Sequence, residues 1–283
     1  MVKIIADSTC DLSHDLLEKY DISIVPLRIL LGESDYEDGK NITPDDIYMW
    51  SDENRTTPKT SAPAPETAIE TIKPFVEAGR EVICFTISEN MSTTANVLRL
   101  AARELDAEDK VYVVDSANLS TGIGLLVIEA AIMARSESEA RKIVDYIEDL
   151  KPFVRASFVV DTLTYLYRGG RCSGLAALAG GVLKLHPRID VIDGKMLPGK
   201  KYRGRIEKVI MSYAEELKQD LLNAKKDRVF ITHSKCDEKV VESVEAYLRE
   251  LGIFKEILVT NAGGVISSHC GPGTLGILYI ADK

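Results

Sequence analysis

Short apolar runs separated by helix-length stretches constrain what the first half of this chain can become. Residues 2–6 form a buried-strand pattern, and 13–20 carry a helical one. Residues 22–31 read as a strand, 44–51 and 66–78 as helices, 82–86 as a strand, 93–105 as a helix and 111–114 as a strand. Two consecutive helices follow over 122–134 and 137–150. Alternation of this kind predicts a mostly parallel sheet with helices covering its faces.

The pattern changes at Lys151-Pro152. Residues 155–160 are strand-like, and 169–185 are Gly-rich and apolar. Residues 189–192 and 195–197 read as a hairpin around Asp193-Gly194, because Asp-Gly suits a two-residue turn. A long helix is expected over 205–222, strands over 229–233, 254–260 and 274–280, and a helix over 239–251. Hairpin and strand–helix–strand signals together predict a mixed sheet. The fold expected is α/β with two domains: residues 1–152 with the mostly parallel sheet, and 153–283 with the mixed one.

A formal net charge of −9 leaves no broad basic surface to neutralise phosphates, so nucleic acid is not an expected partner. Five Cys, at 10, 84, 172, 236 and 270, show no CxxC and no Cys/His pair at zinc spacing. Scattered, odd-numbered thiols fit a reducing cytoplasm better than a disulfide framework. No signal-peptide pattern and no apolar run of about 18 residues is present, so a soluble cytoplasmic protein without an integral membrane segment is expected. Neither a Walker A sequence nor a nucleophile elbow nor a dinucleotide fingerprint occurs.

Five polar segments sit where strands end or helices begin: Asp7-Ser8-Thr9, Thr60-Ser61, residues 88–94, Asp115-Ser116, and Ser267-Ser268-His269-Cys270-Gly271-Pro272-Gly273. Ligands of open α/β sheets collect at the carboxyl ends of strands, where helix N-termini offer free N–H groups. Ser92 and Thr93 fit an anion there, or Ser92 is an ordinary N-cap. Asp7 and Asp115 fit acid roles or plain turns. His269 fits a shaped loop, or a tight turn with a solvated ring. Two basic clusters stand out: Arg168 and Arg171 bracketing Gly169-Gly170, and Lys200 to Arg205 with Arg203 between. Arg forks recognise phosphate or carboxylate, though such loops also pair with local Glu. The small-residue run 175–183 allows either ligand space or close helix packing. One catalytic alternative is an α/β hydrolase or phosphotransferase using Asp7, Ser92, Asp115 and His269. A regulatory ligand sensor is a further one.

Several segments together resemble the DegV family of bacterial fatty-acid-binding proteins along nearly the whole chain. They are Ile5-Ala6-Asp7-Ser8-Thr9-Cys10-Asp11, Thr60-Ser61-Ala62-Pro63-Ala64-Pro65, residues 87–96, Val114-Asp115-Ser116, residues 163–171, and His269-Cys270-Gly271-Pro272-Gly273. The resemblance implies two α/β domains with one long-chain fatty acid between them and no cofactor. It implies a carboxylate held by Thr60, Ser92 and His269, with Ser61, Thr93 and Gly271 beside them. It implies a carrier without chemistry of its own, whose fatty acid goes to a separate ATP-dependent kinase for phospholipid synthesis. Arg168, Arg171, Arg203 and Arg205 are then expected on an outer face, docking that kinase. A head-group site without Arg or Lys is expected to keep the carboxylate nucleophilic.

Overall fold

The computed structural model describes residues 2–171 and 185–282. The small-residue run 175–183 therefore lies outside the described residues. In chain order come β1 (Lys3–Asp7), α1 (His14–Lys19), β2 (Ile22–Val25), β3 (Arg28–Leu31), β4 (Ser34–Glu37), α2 (Pro44–Asn54), β5 (Lys59–Ser61), α3 (Pro65–Glu77), β6 (Val82–Thr86), α4 (Thr94–Glu104), β7 (Val111–Asp115), α5 (Thr121–Met133) and α6 (Ala140–Leu150). The rest are β8 (Val154–Val159), α7 (Thr164–Arg168), β9 (Leu185–Ile192), β10 (Lys195–Arg203), α8 (Ile206–Glu216), α9 (Lys218–Leu222), β11 (Ala224–Ser234), α10 (Glu238–Leu251), β12 (Glu256–Asn261), α11 (Gly264–Cys270) and β13 (Thr274–Ala281).

Strands β2-β1-β6-β7 form a wholly parallel sheet. β1 and β6 are buried along their whole length, which is why their centres, Ile4-Ile5-Ala6 and residues 82–85, read as apolar runs. Strands β10-β9-β8-β13-β11-β12 form the mixed sheet, with only β11 and β12 parallel. An antiparallel sheet, β4-β3-β5, was not legible in the sequence.

α5 joins the two large sheets. Its residues Thr121 to Ala131 are all buried, so no face is left for water. It packs on β1 and β6 on one side and on β8 and β13 on the other. Glu129, 8% exposed, takes Lys225 Nζ at 2.5 Å and also pairs with Arg228. One apolar core runs from Val2 and Phe85 through this helix to Phe158 and Leu278. No described helix is long and apolar enough to cross a membrane.

Four expectations need correction. Residues 22–31 are two strands in different sheets, because Pro26 has no N–H to continue a ladder. The long helix over 205–222 is broken at Leu217 into α8 and α9. The hairpin arms are longer than expected, so Lys200 to Arg203 lie on strand β10. Residues 267–270 are not a loop but the end of helix α11.

Candidate functional site

α11 has seven residues and little helical propensity of its own, since its two ends carry glycines. Distant carboxylates hold its start: Asp11 accepts from Gly263 N–H and Asp38 from Gly264 N–H, each at 2.8 Å. Gly271 ends it at φ 74°, where a Cβ would strike the Tyr165 ring at 2.5 Å. The helix thereby presents His269.

His269 Nε2 lies 2.7 Å from Thr60 Oγ1, on β5. Its other nitrogen, Nδ1, is buried and meets no hydrogen-bond partner among the described residues. A Cβ on Gly169 would lie 2.3 Å from that nitrogen, so this glycine admits the chain's own imidazole. A proton on Nδ1 would be a buried donor with nothing to bond, which places it on Nε2. Nε2 then donates to Thr60 Oγ1, and the threonine's own proton is free for an acceptor in the cavity. Burial, assisted by the charge of Arg171, pushes His269 down to about 4. The ring is neutral at pH 7.

Ser92 precedes α4. Its Oγ lies 2.8 Å from Thr94 Oγ1 and accepts from Thr94 N–H at 3.3 Å. The N-cap of α4 is Thr93, which makes no side-chain cap bond, so Ser92 is not the N-cap; it stands one residue earlier and lines the cavity. Thr93 is exposed and stands outside that wall, as does Gly271. Thr94, buried and paired with Ser92, is the threonine that supports the site. The Ser-Thr-Thr run signalled a hydroxyl cluster without telling which threonine turns inward.

Thr60, Ser61, Ser92, Arg171 and His269 line one cavity whose remaining wall is mostly apolar, including Met91, Leu119 and Ile266. A second cavity shares Leu119, Ile266 and Cys270 with it and continues to Phe158, Gly276 and Leu278. The first cavity therefore has hydroxyl donors, a neutral imidazole and a cation beside an apolar wall, and the second mixes apolar residues with Ser120, Thr232, His233, Ser234 and Thr274.

Arg171 is the main departure from expectation. It stands in the cavity wall instead of an outer face, with Nη1 donating to Gly169 O at 2.9 Å. The chain turns inward after α7, which composition could not show. Arg168, Arg203 and Arg205 are exposed, and Arg205 pairs with Glu207 at 3.3 Å.

The catalytic alternative finds no assembled relay among the described residues. Asp7 spends its oxygens on Thr9 and Ile87 N–H groups and the Thr9 hydroxyl. Asp115 accepts from Ala117 N–H at 2.9 Å and Glu89 N–H at 3.2 Å. Neither lines the cavity, and no carboxylate orients His269 as a nucleophile–base pair requires. Among the described residues no group of His, Cys, Asp and Glu could hold a metal ion.

A family model described as "Uncharacterised protein, DegV family" matches residues 1–282. A DegV domain-containing protein of Clostridium perfringens is 32% identical over 281 residues, 99% of each chain. Among solved structures, the chain is similar to a DegV family protein from Thermus thermophilus described for its fatty acid binding. That match has 29% identity, a TM-score of 0.90 and 99% coverage of both chains. A stearic acid-binding protein from Eubacterium ventriosum is 30% identical, with a TM-score of 0.83, covering 99% of this chain and 98% of that one.

Proposed function

Because the chain belongs to the DegV family, we propose that it binds one long-chain fatty acid and presents its carboxylate to a separate fatty acid kinase. The observation that carries this reading is the convergence of Thr60, Ser92, Arg171 and His269 on one cavity whose remaining wall is apolar. Each buried methylene contributes roughly 0.8 kcal/mol, so about sixteen carbons contribute on the order of 12 kcal/mol before ordering costs. The tail thus supplies most of the affinity, and the polar end fixes orientation.

Thr60 and Ser92 donate hydroxyl protons to the carboxylate, and such charge-assisted bonds are short and strong. Arg171 supplies the cation that the sequence reading left out. Its guanidinium fork suits a carboxylate and, after transfer, an acyl phosphate. The kinase step is supported by the family resemblance and by the exposed cations Arg168, Arg203 and Arg205, which give an acidic partner a docking face. The protein acts as a carrier in the cytoplasm, a setting that the free thiols of Cys10, Cys84, Cys236 and Cys270 fit.

The test is retention of radiolabelled palmitate by Thr60→Val and Ser92→Ala. Each substitution removes about 1–3 kcal/mol, or roughly 5- to 150-fold in affinity, by leaving the charged head group short of one donor. Wild-type affinity in both variants would sink the head-group assignment.

A further inference from the structure

The tip of a β-hairpin commonly faces water, yet this one is docked against the first half of the chain. Asp193, at φ 49°, and Gly194, at φ 73°, form the two-residue turn between β9 and β10. Asp193 is exposed, but Gly194 is buried. The Gly194 carbonyl accepts from Ser88 Oγ at 2.8 Å, and the Asp193 carbonyl accepts from Asn90 Nδ2 at 3.4 Å. A Cβ on Gly194 would stand 2.5 Å from Ser88 Oγ and 2.9 Å from Asn90 Nδ2. The contact therefore needs glycine for space as well as for its positive φ.

Ser88 is fully buried, and each of its polar groups is engaged. Its N–H donates to Asn118 O at 2.9 Å. Its carbonyl accepts from Met91 N–H at 2.8 Å and from Ser92 N–H at 3.1 Å. Its hydroxyl accepts from Asn90 N–H at 3.2 Å while donating to the hairpin. Met91 and Ser92, both in the wall of the first cavity, are thus tied to one residue. Met196, two residues beyond the tip, stands in the same wall. The turn at Ser88 also has support from its own half, where Asp115 accepts from Glu89 N–H at 3.2 Å. The hairpin tip adds support from the other half, and sets the Ser92 side of the cavity against the Met196 side.

We propose that Ser88 is a positioning residue for the cavity hydroxyl of Ser92, braced by the hairpin tip at Gly194. Without the brace, the Ser92 hydroxyl moves with its backbone, and a hydrogen bond weakens steeply once its angle is lost. Ser88 itself stands outside the cavity wall. That the positioned hydroxyl serves a fatty-acid carboxylate rests on the reading above; the brace between the two segments does not.

The experiment compares wild type with Ser88→Ala, Gly194→Ala, Ser92→Ala and the double variant Ser88→Ala/Ser92→Ala. Affinities for palmitate and for hexadecanol are measured by displacement of a fluorescent fatty acid. The two ligands share a tail, so a general loosening of the fold weakens both alike. A carboxylate gains more than an alcohol from a well-aimed donor, because charge-assisted bonds are about twice as strong. Ser88→Ala and Gly194→Ala should each lower the preference for palmitate over hexadecanol about fivefold or more, and the double variant should match Ser92→Ala. Hydrogen exchange of lipid-free protein is read over residues 88–94 and 192–197, and each brace variant should quicken it in both segments. Equal loss of both ligands, an unchanged preference, or additive effects in the double variant overturns the positioning role. Exchange that quickens in one segment alone overturns the brace. Joint quickening in a protein that takes up neither ligand supports the brace while removing the carrier reading.

Discussion

His269 acts as a neutral ring, and its neutrality has a cost that pH exposes. Its folded value lies near 4, below the 6.5 of an unfolded His. Between those values the unfolded chain takes a proton that the folded chain refuses, so stability is lost as pH falls from 6.5 towards 4. Asp7 has the opposite sign. Burial pushes its carboxyl up to about 6, so its penalty at pH 7 eases as pH falls through 6 towards 4. His269→Gln should therefore raise the thermal stability measured at pH 5 relative to that at pH 7, by up to about 2 kcal/mol compared with wild type. An identical pH 5 to pH 7 difference in variant and wild type would contradict a buried neutral ring. At this scale the sequence named His269, Ser92 and Thr60 as chemically apt. It could not show that Arg171 turns inward or that Thr94 is buried while Thr93 is exposed, because those facts depend on chain paths outside each residue's neighbourhood.

Elements with a clean period were legible, and elements fixed by distant partners were not. β1 and β6 announced themselves as apolar runs because helices cover both faces of their sheet. The break at Pro26 and the three-stranded sheet escaped notice because 22–31 keeps one apolar texture across two sheets. α11 escaped because Gly263, Gly264 and Gly271 mimic loop punctuation, whereas here they admit carboxylates and a tyrosine ring. Helix α7 ends in exposed Arg168 and strand β10 in exposed Arg203, away from the cavity wall. Charge reversal at both, Arg168→Glu with Arg203→Glu, should leave bound lipid unchanged and reduce acyl phosphate formation with a fatty acid kinase at least tenfold at low salt. Unimpaired turnover would remove these two residues from the docking face.

The whole molecule is organised around α5, which both large sheets use as a wall. The site follows from that arrangement. Thr60 and His269 are 209 residues apart yet share a hydrogen bond, and the bond from Gly263 N–H to Asp11 reaches farther still. Nothing local in the sequence encodes such meetings; the family resemblance supplied the set, and the fold supplied the reason. The neighbouring cavity also belongs to this scale, since its wall combines Leu119, Phe158, Ile266 and Leu278 from four separate elements or loops. Native mass spectrometry of the purified protein, followed by denaturing extraction and lipid identification, tests the central claim most directly. The account predicts one long-chain fatty acid per chain, either carried through purification or taken up on incubation with palmitate. A chain that stays at its bare mass after that incubation would contradict it.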